Sequence, residues 1–242
     1  MLTINLRHCI CIHVCISGTP GTTNQVVNIE DDLDDDLDLL QSPFLIESVD
    51  NDPVNKYRKE FLRSDVPPLR VFVDRIGEEF ASDVLAIYKK PNPSFCSSVR
   101  VRFENERAVG DGPVREFFSL LMEMVQNGFP LEESQVTLVF EGQADHKLPI
   151  PNALLCSSGF FISVGRMMAH SFLHAGPAVY GLSPAFINYL ISDSIDAMTI
   201  LDVPDFELRQ ALVEVSWGFL AYFSHEQYRL IHADIIVYIL LH

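Results

Sequence analysis

Cysteine and histidine offer the widest scope for chemistry in this chain, and their spacing limits what they can do. Cys9, Cys11, His13 and Cys15 recur at every second position, so a strand would put all four on one face. Same-face neighbours on a strand lie about 7 Å apart, too far to share one tetrahedral ion unless the backbone folds back, and structural zinc pairs usually enclose two to four residues. His170 and His174 stand four apart, which on a helix places both imidazoles on one side. They lack the intervening Glu of a metalloprotease helix and a third ligand, so they are expected to be surface or boundary histidines. No metal and no cofactor is expected. A nucleophilic cysteine needs a group nearby that lowers its thiol pKa. Cys156 follows Leu154-Leu155 and reads as a small buried hydrophobe, while Cys96 sits in a Ser-rich loop with no partner evident in the sequence. No catalytic residue is assigned.

The chain has 242 residues, 48% of them hydrophobic, and a formal net charge of −16. That hydrophobic fraction can build one domain of about 150–180 residues plus a tail. The acidic balance argues against a nucleic-acid partner, because phosphate contacts need clustered Lys and Arg. Five cysteines without regular spacing fit a reduced protein of the cytoplasm or nucleus rather than a disulfide framework. The apolar run Cys9 to Ile16 is broken by His13 and is shorter than the roughly 20 residues a bilayer span needs, so neither a secretory leader nor a membrane anchor is expected.

Residues 1–65 read as a disordered acidic tail. The run Glu30 to Asp38 is acidic at all but two positions, and like charges at that density repel while few large side chains are available to offset the ordering entropy. Just before it, Val26-Val27-Asn28-Ile29 leads into Glu30-Asp31-Asp32, a pattern that resembles a SUMO-interacting motif. Its apolar residues can add as a strand to a sheet edge, and its acids can meet a basic rim. The alternative is a chance match inside an acidic segment.

Residues 66–215 carry the periodic elements. From Leu69 to Tyr88, Val73, Ile76, Phe80, Val84 and Ile87 fall at steps of three and four, predicting one amphipathic helix stopped by Pro91 and Pro93. Val99 to Phe103 alternates apolar and basic residues, predicting a strand. Asp111, Gly112 and Pro113 open a helix with Phe117, Leu120, Leu121 and Met124 as its stripe, and Asn127-Gly128 as its stop. Val136 to Phe140 predicts a strand, with Lys147 to Ile150 as its partner across Gly142. Gly159 to His174 predicts a helix with Phe161, Val164, Met168 and Phe172 on one face, where Gly165 and Ala169 leave a flat strip for close approach of another helix. Ser183-Pro184 caps a helix to Ile191. Asp202 and Pro204 open another with Leu208, Ala211, Leu212 and Val215 as its stripe. The expected class is α+β, predominantly helical, with a small sheet.

Two stretches carry a family resemblance. Val101 to Phe118, VRFENERAVGDGPVREFF, looks like the strand-turn-helix of HECT domains, in which a Phe-x-x-Glu segment leads into an Asp-Gly-Gly turn and an Arg-Glu-Phe helix. Here the turn is about one residue shorter and keeps the single Gly112. Phe160 to Leu190, FFISVGRMMAHSFLHAGPAVYGLSPAFINYL, is similar to the helix-loop-helix of the same lobe, with Gly165-Arg166, Gly176-Pro177 and Ser183-Pro184-Ala185-Phe186 at matching points. The chain thus resembles the amino-terminal lobe of HECT-type ubiquitin ligases, nearest to their G2/M-phase-specific branch, over residues 66–215.

The resemblance implies a ubiquitin-protein transferase whose full-length form meets a ubiquitin-conjugating enzyme and a substrate protein. It implies structural parts for Asp111, Gly112, Arg115, Glu116, Gly165 and Arg166, with Arg115 tying its helix to the preceding turn and Arg166 hydrogen-bonding inside the lobe. The lobe bearing the family's catalytic cysteine, usually preceded by Thr, has no counterpart in this sequence. The chain alone is therefore expected to be inactive, or to act as a non-catalytic binding module or competitor in the ubiquitin or SUMO systems. Residues 216–242 read as a divergent apolar segment, a buried strand or helix, and Trp217 to Phe223 and Ile235 to Leu241 would be exposed if nothing covered them.

Overall fold

The structure is a computed structural model that describes residues 52–90, 95–132 and 135–220. It is a mixed α and β fold with helices predominant and three two-stranded sheets among the described residues. Its first element, α1 (Pro53–Phe61), starts where Asp52 accepts a hydrogen bond from the Val54 amide and Pro53 supplies a preset first turn. This helix lies inside residues 1–65, the segment read from the sequence as an acidic tail. Asp52-Pro53 is a capping signal that the acidic composition around it masks.

Strands β1 (Leu69–Val73) and β2 (Val99–Phe103) pair in parallel, Leu69 opposite Val99 and Val73 opposite Phe103. Each buries alternate residues, Val71 and Val73 on one strand and Val101 and Phe103 on the other. Helix α2 (Phe80–Lys89) makes the crossover that a parallel pair needs and buries Ala81, Val84, Leu85 and Tyr88. The single helix expected from Leu69 to Tyr88 is therefore a strand, a turn and a shorter helix. Asp74 turns the chain by accepting from the Ile76 amide at 3.0 Å, and Ile76, placed on the expected stripe, is 87% exposed. The period of two over Leu69-Val71-Val73 happens to align with helical spacing further on.

Helix α3 (Asp111–Asn127) follows Gly110, whose φ of 94° makes the entry turn, and ends at Gly128 with φ 104°. The turn glycine is Gly110, while Gly112 already lies within the helix. The strand expected over Val136 to Phe140 divides at Leu138-Val139. β4 (Gln135–Thr137) pairs antiparallel with β3 (Phe129–Glu132), whereas β5 (Phe140–Gln143) pairs with β6 (His146–Pro149). Two hairpins replace one because Val139 turns inward, 1% exposed, and sends the chain from one partner to the other.

After the short α4 (Ala153–Ser157), helix α5 (Phe160–Leu173) is the centre of the molecule. It is buried on most sides: Phe160, Phe161, Val164, Met167, His170, Ser171 and Leu173 are all inside, while Phe172, expected inside, is 41% exposed. α6 (Pro184–Ser192) is capped as expected by Ser183, which accepts from the amides of Ala185 and Phe186.

The same hydroxyl donates to Asp202 Oδ1 at 2.5 Å, and Asp202 Oδ2 accepts from the backbone and side chain of Thr199 at the start of a 3-10 turn (Ile200–Asp202). Ser183 and Asp202 are 0% and 1% exposed. Replacing Ser183 by alanine removes a cap and strips one partner from a buried carboxylate. We expect a loss of about 2–3 kcal/mol in urea unfolding, and a loss below about 0.5 kcal/mol would show that water replaces the hydroxyl.

The last described helix, α7 (Phe206–Leu220), does not bury its expected stripe. Leu208 is 36% and Val215 49% exposed, and Ala211 is exposed as well. Its described contacts are chiefly with the 3-10 turn. Residues 1–51 and 221–242, with the Cys9 to Cys15 cluster, the acidic run and Ile235 to Leu241, lie outside the described residues.

Candidate functional site

The two motif stretches, far apart in sequence, meet at one place. α3 of the first packs on α5 of the second, and the contact is aromatic. The Phe118 ring stands edge-on to His170 with centroids 5.0 Å apart and stacks on His174 at 5.6 Å. Gly176 closes the contact, since a Cβ there would lie 2.9 Å from the Phe118 Cβ and would press into Ser171 Oγ. Glycine is required at that position by the approach of two elements, in keeping with its place in Gly176-Pro177.

His170 is 1% exposed, not the surface or boundary residue expected from its spacing. Its Nδ1 shares a 2.7 Å hydrogen bond with the Tyr88 hydroxyl from α2, and its Nε2 has no partner among the described residues. Burial pushes the His170 imidazole well below its usual range, and the neighbouring His174 pushes it further down. Burial likewise raises the Tyr88 phenol well above its ordinary value. Both groups are therefore neutral at pH 7. His174 donates from Nε2 to the Phe95 carbonyl at 3.2 Å, and burial lowers its pKa despite that bond. The pair forms a packed polar seam, and no group of three or more potential metal ligands occurs among the described residues.

Above this seam lies an apolar cavity of about 590 Å³, walled by Met122 of α3, Gly165, Met168 and Ala169 of α5, and Leu190 of α6. α1 forms its outer wall through Pro53, Val54, Tyr57 and Phe61. The flat strip at Gly165 and Ala169 thus faces a neighbouring helix, but across a cavity. Among the described residues Arg58 is the one cation lining it: the guanidinium lies 4.8 Å from the Phe172 ring centroid, and its Nε donates at 2.6 Å to the Phe172 carbonyl, which also accepts from the Ala175 amide at the end of α5. Arg58 and α1 carry a part of the site absent from the sequence reading. The capping signal at Asp52-Pro53 is what could have revealed them.

Neither described cysteine lines this cavity. Cys156, half-buried, packs against the core rather than lying fully inside it, and Cys96 is half-buried in the loop before β2, its carbonyl accepting from the Arg63 amide. The arrangement can bind apolar groups and position helices.

The six motif residues do not form one cluster. Asp111, Gly112, Arg115 and Glu116 are exposed at the start of α3, whereas Gly165 is buried in the middle of α5. Arg115 does not tie its helix to the preceding turn. Arg75, from the turn after β1, does so: its Nε lies 2.6 Å from Glu106 in that turn, its Nη1 3.4 Å from Glu116, and its guanidinium packs 5.0 Å from the Phe103 centroid. Reading Arg75 as helical concealed this bridge.

Arg166 donates through Nη1 to the carbonyls of Tyr88 at 2.8 Å and Lys90 at 3.3 Å, closing the carboxyl end of α2 onto α5. Replacing Arg166 by alanine frees two helix-end carbonyls. It is expected to lower unfolding free energy by about 1.5–3 kcal/mol; an unchanged melting temperature would remove the arginine from any structural part.

No family model matches the chain. It is 28% identical over 128 residues to the G2/M phase-specific E3 ubiquitin-protein ligases of Macaca fascicularis and Homo sapiens. The matched region is 52% of this chain and 17% of each relative, so the chain spans well under a fifth of their length. This similarity relates the chain to part of an E3 ubiquitin-protein ligase.

Proposed function

We propose that the chain is a HECT amino-terminal-lobe-like module of a ubiquitin-protein ligase, acting in protein ubiquitination in the cytoplasm or nucleus. It would serve as a binding platform for a ubiquitin-conjugating enzyme and a substrate protein rather than carry the transfer itself. The observation that carries this reading is the junction at Phe118, His174 and Gly176, where the two family-like stretches fold against each other as parts of one core. The similarity over 128 residues to a ubiquitin ligase supports the ligase-related part of this reading. The half-buried Cys96 and Cys156 stand apart from the apolar cavity, which argues for binding over catalysis.

A charging assay tests this reading. The chain, incubated with activating enzyme, conjugating enzyme, ubiquitin and ATP, is expected to show no reducible ubiquitin adduct, whereas a fusion to a HECT carboxy-terminal lobe is expected to show one. An adduct on the chain itself would overturn the platform reading, and a folded fusion that never charges would overturn the lobe assignment.

The motif at Val26-Val27-Asn28-Ile29 with its acids Glu30, Asp31 and Asp32 favours a second reading, as a SUMO-binding competitor in the same pathway. Equal SUMO binding by the chain and by a variant with Val26, Val27 and Ile29 changed to alanine would eliminate it.

A further inference from the structure

The outward face of the β1–β2 pair is basic in an otherwise acidic chain. Alternation sends Arg70 and Phe72 outward from β1 and Arg100 and Arg102 outward from β2, all exposed. The register sets Arg70 directly opposite Arg100 and Phe72 opposite Arg102. Three arginines therefore hold the positions next to Phe72 on this face, spaced about 5 Å across the strands and about 7 Å along them, and the Phe72 side chain is 63% exposed.

Like charges placed directly opposite on paired strands destabilise the pairing, and the exposed Glu104, two positions beyond Arg102, lies at the far edge of this face. Arg63 and Arg75 have carboxylate partners, but Arg70, Arg100 and Arg102 make no ion pair with a described residue. The other face of the sheet is filled by the core, so this face is open. Arginine's planar fork suits carboxylates in pairs.

We propose that this arginine face is the docking site of the chain's own acidic segment, Glu30 to Asp38. The chain has 17 Lys and Arg against 33 Asp and Glu, and this segment holds its densest acid run, with Leu33 and Leu37 at intervals that can meet the Phe72 ring. Charge complementarity selects it: opposite-sign groups convert the Arg70–Arg100 repulsion into attraction and neutralise the segment's own self-repulsion. Reach is ample. From Asp38 to Asp52, where the described chain begins, an extended backbone spans up to about 50 Å, against a radius of gyration of about 15 Å for a folded body of this size. The docked segment occupies the face that an acidic partner protein would otherwise bind.

Carbodiimide, which joins a lysine amine to a carboxylate without a spacer, tests this on the full chain carrying R70K, R100K and R102K, which keeps the charge. Peptides linking residues 30–38 to positions 70, 100 or 102 are expected within single molecules, as judged from a mixture of ¹⁴N- and ¹⁵N-labelled chains, and are expected to be lost at about 1 M salt, where the Debye length is about 3 Å. Links between molecules, which would mark a second copy as the occupant, links to other positions only, or no links from a folded variant would overturn the proposal. A second measurement needs no substitution. X-ray scattering from the native chain is expected to show a radius of gyration that rises with salt as the segment is released. An undocked acidic segment repels itself and would contract with salt, so an unchanged or falling radius also overturns the proposal.

Discussion

Replacing Phe118 by alanine is expected to lower the free energy of unfolding by about 3–5 kcal/mol, the range for removing a fully buried aromatic ring. Phe118 is 1% exposed and touches a different element on each side: Phe117 on its own helix at 5.6 Å, His170 and His174 across the α3–α5 contact, and Gly176 beyond the end of α5. The cavity left behind cannot collapse easily, because His170 is held from α2 by the Tyr88 hydroxyl and His174 by the Phe95 carbonyl. A domain of this size is stable by about 5–15 kcal/mol, so one ring accounts for a large part of the margin. Urea unfolding followed by circular dichroism measures the change. Val109→Ala, at a position 80% exposed, is the control, expected within about 0.5 kcal/mol of the native chain. A Phe118→Ala loss no larger than the control's would mean that the two family-like stretches are not bound into one core.

What could be read from the residues alone follows from which signals are local. The α3 helix was legible end to end, because Pro113 in its first turn and Gly128 past its end act through the backbone of their own segment. Ser183-Pro184 opened α6 for the same reason. Periodicity failed where two periods overlap: Val73 and Phe80 fit a helical stripe, yet Val71 and Val73 belong to a parallel strand whose partner, β2, lies 30 residues on.

Helix faces were less legible than helices. The stripe Phe161, Val164, Met168 and Phe172 assumes a single buried side, but α5 runs through the core and buries Met167 and His170 as well. The candidate site shows the same division. Arg166 and Gly165 were found from local motif, while Arg58, Arg75 and Tyr88 act through contacts 114, 41 and 82 residues away in sequence. No spacing rule on one segment reports those.

Mild acid is expected to destabilise this chain through its buried histidines. In the unfolded chain the His170 imidazole titrates near pH 6.5, whereas in the folded chain burial first, and His174 second, hold it neutral well below that value. Below pH 6.5 the unfolded state therefore binds a proton that the folded state refuses. Stability is fully present above the unfolded pKa and is lost as pH falls, by about 1.4 kcal/mol per unit for as long as the folded imidazole stays neutral. His174 is lowered too, by burial, and adds a smaller loss of the same sign. Two exposed carboxylates, Asp65, hydrogen-bonded to Arg63, and Asp145, 3.1 Å from the His146 imidazole, sit below their usual range, so their contributions fade only at lower pH. Glu141, raised by burial, acts in the opposite direction, since the folded state takes up its proton first. Unfolding free energy measured at intervals from pH 7.5 to 5 is thus expected to decline, and a His170→Gln variant, which keeps a hydrogen-bonding partner for Tyr88 without a titrating group, should have the shallower slope by about 1.4 kcal/mol per unit. Equal slopes in the two proteins would mean that His170 accepts a proton in place, which the packing of Phe95, Phe118 and Tyr88 around its ring opposes, because a buried cation there would have its Nε2 without a partner among the described residues.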